Sequence, residues 1–172
     1  MKRKKFIALM VSVICLITIN NRTHAEEHIQ LALFNPAQLV AEDQSIRGIR
    51  LNLIYGKNTD LTGLDWGIVN HLTGSSTGMQ TGFFGNVEGD FTGLQDNFVN
   101  ITKGEFHGIQ TGAYNKIGHG TGIQWGVINI ADDFAGMQLG FVNYAVMLNG
   151  FQIGIINIIN SHFPLEKLEA ST

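Results

Sequence analysis

Gly122-Ile123-Gln124-Trp125-Gly126-Val127-Ile128-Asn129 decides the fold, because it is one of eight copies of a single phrase. The phrase is Gly-Φ-(Gln/Asp/Arg)-x-(Gly/Asn)-Φ-Φ-Asn, where Φ is apolar. Its lead glycines are Gly48, Gly63, Gly78, Gly93, Gly108, Gly122, Gly136 and Gly150, spaced by 15 residues four times and then by 14 three times. A fixed period of this size marks stacked modules, each of which buries its surface only against its neighbours.

Aligned on the lead glycine, the second following position reads Arg50, Asp65, then Gln80, Gln95, Gln110, Gln124, Gln138 and Gln152. The unit closes on Asn70, Asn100, Asn115, Asn129, Asn143 and Asn157, with Asn86 arriving one residue late. A degenerate copy, Ile29-Gln30-Leu31-Ala32-Leu33-Phe34-Asn35, precedes an insertion containing Pro36. Within the phrase, apolar and polar residues alternate with period two between turn signals such as Thr73-Gly74-Ser75 and Ala131-Asp132-Asp133, which is strand chemistry. A glycine every few residues costs about 1 kcal/mol each inside a helix. The predicted fold is all-β.

Two topologies use such a unit. In a β-solenoid of 14–15-residue coils, each coil supplies about 45–50 Å of contour, enough for two short strands and two turns. The Gln and Asn columns then become amide ladders running from coil to coil. In an antiparallel barrel of 8–10 strands, each unit would be one strand and one turn. The barrel is the weaker fit: its outward face would carry about 20 Å of apolar band where about 25 Å is wanted, and the uniform turns lack the short and long alternation of outer-membrane barrels. In either case the apolar residues of the phrase are expected to supply the core. The third column, which holds Leu51, Trp66, Trp125, Leu139 and Ile153, is expected to face inward. Facing outward, it would form an exposed apolar stripe, a contact surface for a protein or the envelope.

The ends differ from the repeats. Lys2, Arg3, Lys4 and Lys5 precede an apolar run over residues 6–19 and the small-residue site Thr23-His24-Ala25, the pattern of a signal peptide cleaved after Ala25. The resulting division is 1–25 signal peptide, 26–47 N-terminal cap with the degenerate repeat, 48–159 eight-repeat β domain, and 160–172 C-terminal tail. Residues 165–170, after Pro164, read as a short helix within that tail. Beyond residue 25, six Lys and Arg stand against fourteen acids, a net charge of −8. Phosphate neutralisation needs clustered cations, so nucleic acid is excluded as a partner. The only cysteine, Cys15, lies in the leader, which leaves no disulfide framework and no thiolate chemistry.

The phrase Gly-Φ-Gln-x-Gly-Φ-Φ-Asn, with Leu33-Phe34-Asn35-Pro36 and Arg47-Gly48-Ile49-Arg50-Leu51-Asn52-Leu53-Ile54-Tyr55-Gly56 upstream, resembles a bacterial family of exported "surface repeat" proteins over roughly residues 29–159. Family members tend to end on a short aromatic segment closing in Phe, which this chain lacks. The resemblance implies a surface or envelope protein of a Gram-negative bacterium, and it brings no catalytic residues.

Side chains that could carry chemistry form no constellation in the sequence. The histidines at 28, 71, 107, 119 and 162 sit at no metal-ligand spacing and read as solvated turn residues. Gly118-His119-Gly120-Thr121-Gly122 has neither the Lys nor the helix of a phosphate loop and reads as a turn. Asp65 and Asp96 are the only acids within the repeat phrase, but they fall in different columns two coils apart, so a paired-carboxylate hydrolase is not expected. No catalytic, metal or cofactor residue is therefore expected. The expected role is a non-enzymatic exported protein that presents a β surface to an unknown protein or envelope component, in the cell surface, outer membrane or periplasm. Membrane association and oligomeric state stay open, and the alternative role is an integral outer-membrane β-barrel.

Overall fold

The computed structural model describes residues 27–160. The expected signal peptide and tail helix both lie outside them. The described chain is a β-solenoid. Its strands are β1 (Glu27–Phe34), β2 (Ala37–Gln38), β3 (Ile46–Asn58), β4 (Leu61–Leu72), β5 (Ser76–Val87), β6 (Phe91–Leu139), β7 (Val142–Ile153) and β8 (Ile156–Ile159), ordered β2-β1-β3-β4-β5-β6-β7-β8. The short β2 pairs antiparallel with β1; from β1 through β3 to β8 every pairing is parallel, and lead glycine meets lead glycine: Gly48 pairs with Gly63, Gly63 with Gly78, and Gly78 with Gly93. A barrel needs antiparallel neighbours, so the barrel alternative is wrong.

Strand length depends on whether the connectors pair. In the first three 15-residue coils the connectors leave the ladder, and Thr73-Gly74-Ser75 separates β4 from β5; in the fourth, Lys103-Gly104-Glu105 stays within β6. In the 14-residue coils the connector pairs as well, so Ala131 meets Ala145 and Asp133 meets Met147. Ala131-Asp132-Asp133 and Gly118-His119-Gly120 therefore belong to the 49-residue β6, not to turns between strands. The lead glycines take φ between 131° and 156°, a region that L side chains avoid. A Cβ on Gly108 would also drive into the carbonyl oxygen of Gly93 on the previous coil.

The structure corrects the expected core. The apolar positions of the phrase point outward, and its Gln and Asn columns point in. The buried apolar residues come from outside the phrase. One column lies two residues before the lead glycine (Ile46, Leu61, Phe91, Phe106, Phe134) and another nine residues after it (Leu72, Val87, Ile117, Ala131). Phe91 and Phe106 stack there with ring centroids 5.7 Å apart. At the N-terminal end, β1 adds a coil in register, Gln30 against Arg50. The chain then crosses the end of the stack: Val40 is buried, and its N–H donates to Gln30 Oε1 at 2.7 Å.

Candidate functional site

The interior begins with a charge pair. Arg50 and Asp65 occupy the Gln column of the first two coils, both fully buried, and Arg50 Nε and Nη2 donate to the two carboxylate oxygens at 2.8 and 2.6 Å. Asn58 Oδ1 and the His71 carbonyl accept from Arg50 Nη1. Gln80 Nε2 donates to Asp65 at 2.9 Å. From there each glutamine amide donates to the preceding one: Gln95 to Gln80, Gln110 to Gln95, Gln124 to Gln110, Gln138 to Gln124 and Gln152 to Gln138, at 2.6–3.0 Å.

The Asn column runs the other way. Asn100 donates to Asn115, Asn115 to Asn129, Asn129 to Asn143 and Asn143 to Asn157, each at 2.8 Å. Asn86 is not part of it. It pairs with His71 and Ile101, and Gly85 occupies the column between Asn70 and Asn100. Gly56 likewise stands opposite Asn70 in the first coil. Both gaps are filled from the position where most coils carry glycine: Asn52 Nδ2 donates to Asn70 Oδ1 at 2.9 Å, and Asn97 Nδ2 to Asn100 Oδ1 at 2.7 Å. The predicted Gln and Asn residues are thus brought together as two ladders inside the coil, buried except at the last coil, where Gln152 is half-buried and Asn157 exposed.

With the polar side chains inside, the wall that follows each lead glycine is apolar. The third column faces out, contrary to expectation: Trp66 is 57% and Trp125 65% exposed. The first column (Ile49, Leu64, Ile109, Phe151) and the fifth (Leu53, Ile68, Phe83, Phe98, Phe141, Ile155) flank it and are exposed too. Phe83 and Phe98 stack on this surface with centroids 5.0 Å apart. Between the third and fifth columns runs a groove floored by the backbone of Gly112, Gly126, Gly140 and Gly154, with two adjoining segments of about 540 and 440 Å³. Thr81, Asp96 and Thr111 are the polar residues of the third column, and Thr111 Oγ1 donates to Asp96.

The titratable residues separate by side. Asp65 is inside and Asp96 is on the outer wall, so the two acids of the phrase never meet. His71 is a strand residue, not a turn residue. Its Nδ1 lies 3.0 Å from Tyr55 Oη, and its Nε2 lies 3.2 Å from Glu88 Oε1, which also accepts from Lys103 at 3.3 Å. Hydrogen bonds from His71 and then Lys103 hold the Glu88 carboxyl below the usual carboxylate range. His107 also lies within a strand, β6, where it bonds Thr121 at 2.8 Å. Among the described residues no three His, Cys, Asp or Glu side chains gather as a metal site. Polarity alone assigns the columns to the wrong faces and so misses the outer wall. The apolar residues outside the phrase are the available signal that the phrase faces outward. No family model, curated protein or solved structure matches the chain.

Proposed function

We propose that this chain is an exported, non-enzymatic repeat protein that binds a component of the cell envelope through its outer apolar wall. One observation carries the reading. A solenoid whose phrase residues Trp66, Phe83, Phe98, Trp125 and Phe141 stay exposed presents an apolar patch longer than isolated surface hydrophobics produce, and such patches mark interaction sites. The polar side chains that could otherwise do chemistry are committed to coil-to-coil ladders. The leader-like first 25 residues support export.

Expression in a Gram-negative host, followed by fractionation, tests the reading. The expected result is a chain processed after Ala25 and recovered with the envelope, with Trp125→Gln plus Phe141→Gln shifting it to the soluble fraction. A cytoplasmic chain with its leader intact, or envelope recovery indifferent to those substitutions, would sink it.

A further inference from the structure

We infer that the outer wall docks on the uncharged acyl region of a lipid surface, one extended acyl chain lying in the groove between the third and fifth columns. This rests on the wall being the binding surface, as proposed above, and adds the chemistry of its partner.

Hydrogen bonding argues first. A protein–protein contact makes roughly one hydrogen bond per 100–200 Å². The wall's backbone groups are consumed by the parallel ladder, and Asp96 and Thr111 already bond each other. A protein partner would find almost nothing to bond, whereas acyl chains need no such bonds.

Shape and charge agree with this. The groove lies between columns two residues apart, about 6.6 Å, too narrow for a helix of about 10 Å. Its floor rises no higher than the backbone of Gly126, Gly140 and Gly154. Asp60, Glu88, Asp90, Glu105, Asp132 and Asp133 sit on the connectors, and Asp96, which accepts from Thr111, is the one acid in the wall columns. The body is therefore amphipathic around its axis, in the manner of structures that lie in a membrane interface with the apolar side sunk about 5–10 Å. With a net charge of −8 after residue 25, attraction to anionic headgroups does not contribute.

The chain's two tryptophans, Trp66 and Trp125, are both on the wall, so their emission reports the contact directly. The full chain is mixed with phosphatidylcholine vesicles and followed by flotation and by tryptophan emission. Because the leader is common to all variants, only differences between variants are read. The expected result is flotation with a blue-shifted emission, insensitive to salt and not improved by phosphatidylglycerol. Trp125→Gln plus Phe141→Gln, and separately Ile68→Gln plus Phe83→Gln, are expected to lower the partition coefficient at least about tenfold, or 1.4 kcal/mol, with the β circular dichroism retained. Asp132→Asn on a connector should leave partition unchanged. Flotation equal in all variants, or binding that requires phosphatidylglycerol, overturns the inference. A dimer that dissociates on wall substitution, without flotation, overturns the lipid partner but leaves the wall as a binding surface. Neither flotation nor any wall-dependent association overturns both.

Discussion

Replacing the buried charge pair by the residues that every later coil uses should be far less damaging than breaking it. Arg50 and Asp65 are both fully buried and joined by two bonds of 2.8 and 2.6 Å. Arg50→Gln leaves the Asp65 carboxylate in the interior with amide donors only. Asp65→Gln leaves the guanidinium facing Asn58 Oδ1 and the His71 carbonyl. Removing one partner of a buried pair costs about 3–5 kcal/mol, a large share of the 5–15 kcal/mol that holds a typical domain. In the double variant Arg50→Gln/Asp65→Gln, the new amide at position 65 accepts from Gln80 and donates to the new amide at position 50, extending the ladder by two rungs. Each amide bond is worth about 0.5–1.5 kcal/mol net, and the isolated charges are gone. The double variant should therefore lie within about 2 kcal/mol of the natural chain, with a coupling energy of at least about 3 kcal/mol between the sites. Urea denaturation followed by far-ultraviolet circular dichroism measures all four species, with the m value as a check that the folded state is unchanged. Losses that simply add in the double variant would refute the equivalence of the Arg50, Asp65 and Gln positions.

Three further outcomes rest on the same geometry. Phe106→Ala opens a gap beside Phe91 in the interior column and should cost about 3–5 kcal/mol in the same urea assay; a loss under about 1 kcal/mol would mean that the stack is not the core. Trp125→Ala, at a residue 65% exposed, should change stability by no more than about 0.5 kcal/mol, and a loss of several kcal/mol would return the third column to the core. Glu88 is held below the usual carboxylate range by His71 and Lys103. Its folded state thus favours the ionised form, so its contribution is complete above that range and is lost as the pH falls below it through the lowered value of the folded chain. The difference in melting temperature between the natural chain and Glu88→Gln should shrink to nothing in acid; a gap that holds or widens there would show that the contact with His71 and Lys103 is not what Glu88 contributes.

The parallel stack was legible because the lead glycines recur at the pitch of one coil, and Gln110 and Asn115 could be read as ladder residues from their columns alone. What was not legible was which face of the pleat points inward. In the phrase, period two places Ile123, Trp125 and Val127 on one face and Gln124 and Gly126 on the other, and the usual rule buries the apolar set. Here the rule inverts. A buried amide that bonds both neighbours in its column is satisfied, and the apolar fill is supplied from connector positions such as Phe106 and Ile117. Those residues sit outside the phrase, so aligning the phrase concealed them. Asn86 was misplaced for a related reason. The late asparagine looked like a slipped copy, whereas Asn97 in a glycine position is what compensates Gly85. The exposed wall, and with it the proposed binding surface, follows from the same inversion and was hidden by the same rule.

The unpartnered amide atoms follow from the direction of the ladders. A row of amides in which each donates one N–H to the next must leave one acceptor unfilled at its tail, however well it is packed. The Gln row donates toward the N-terminus and ends on Asp65, so its unfilled acceptor belongs at the last coil; Gln152 Oε1 is buried there without a partner. The Asn row donates toward the C-terminus and is split at Gly85 into two runs, which start at Asn52 and Asn97. Each run should leave one acceptor at its first residue, and Asn52 Oδ1 and Asn97 Oδ1 are the two found. Three runs thus account for three of the unfilled acceptors among the described residues, and the remaining one, Gln38 Oε1, lies in the segment that closes the N-terminal end. Because the two rows point in opposite senses, their side-chain dipoles oppose along the axis, and added coils lengthen both rows without building a field at either end. The buried charge pair Arg50–Asp65 stands where the Gln row ends on its N-terminal side.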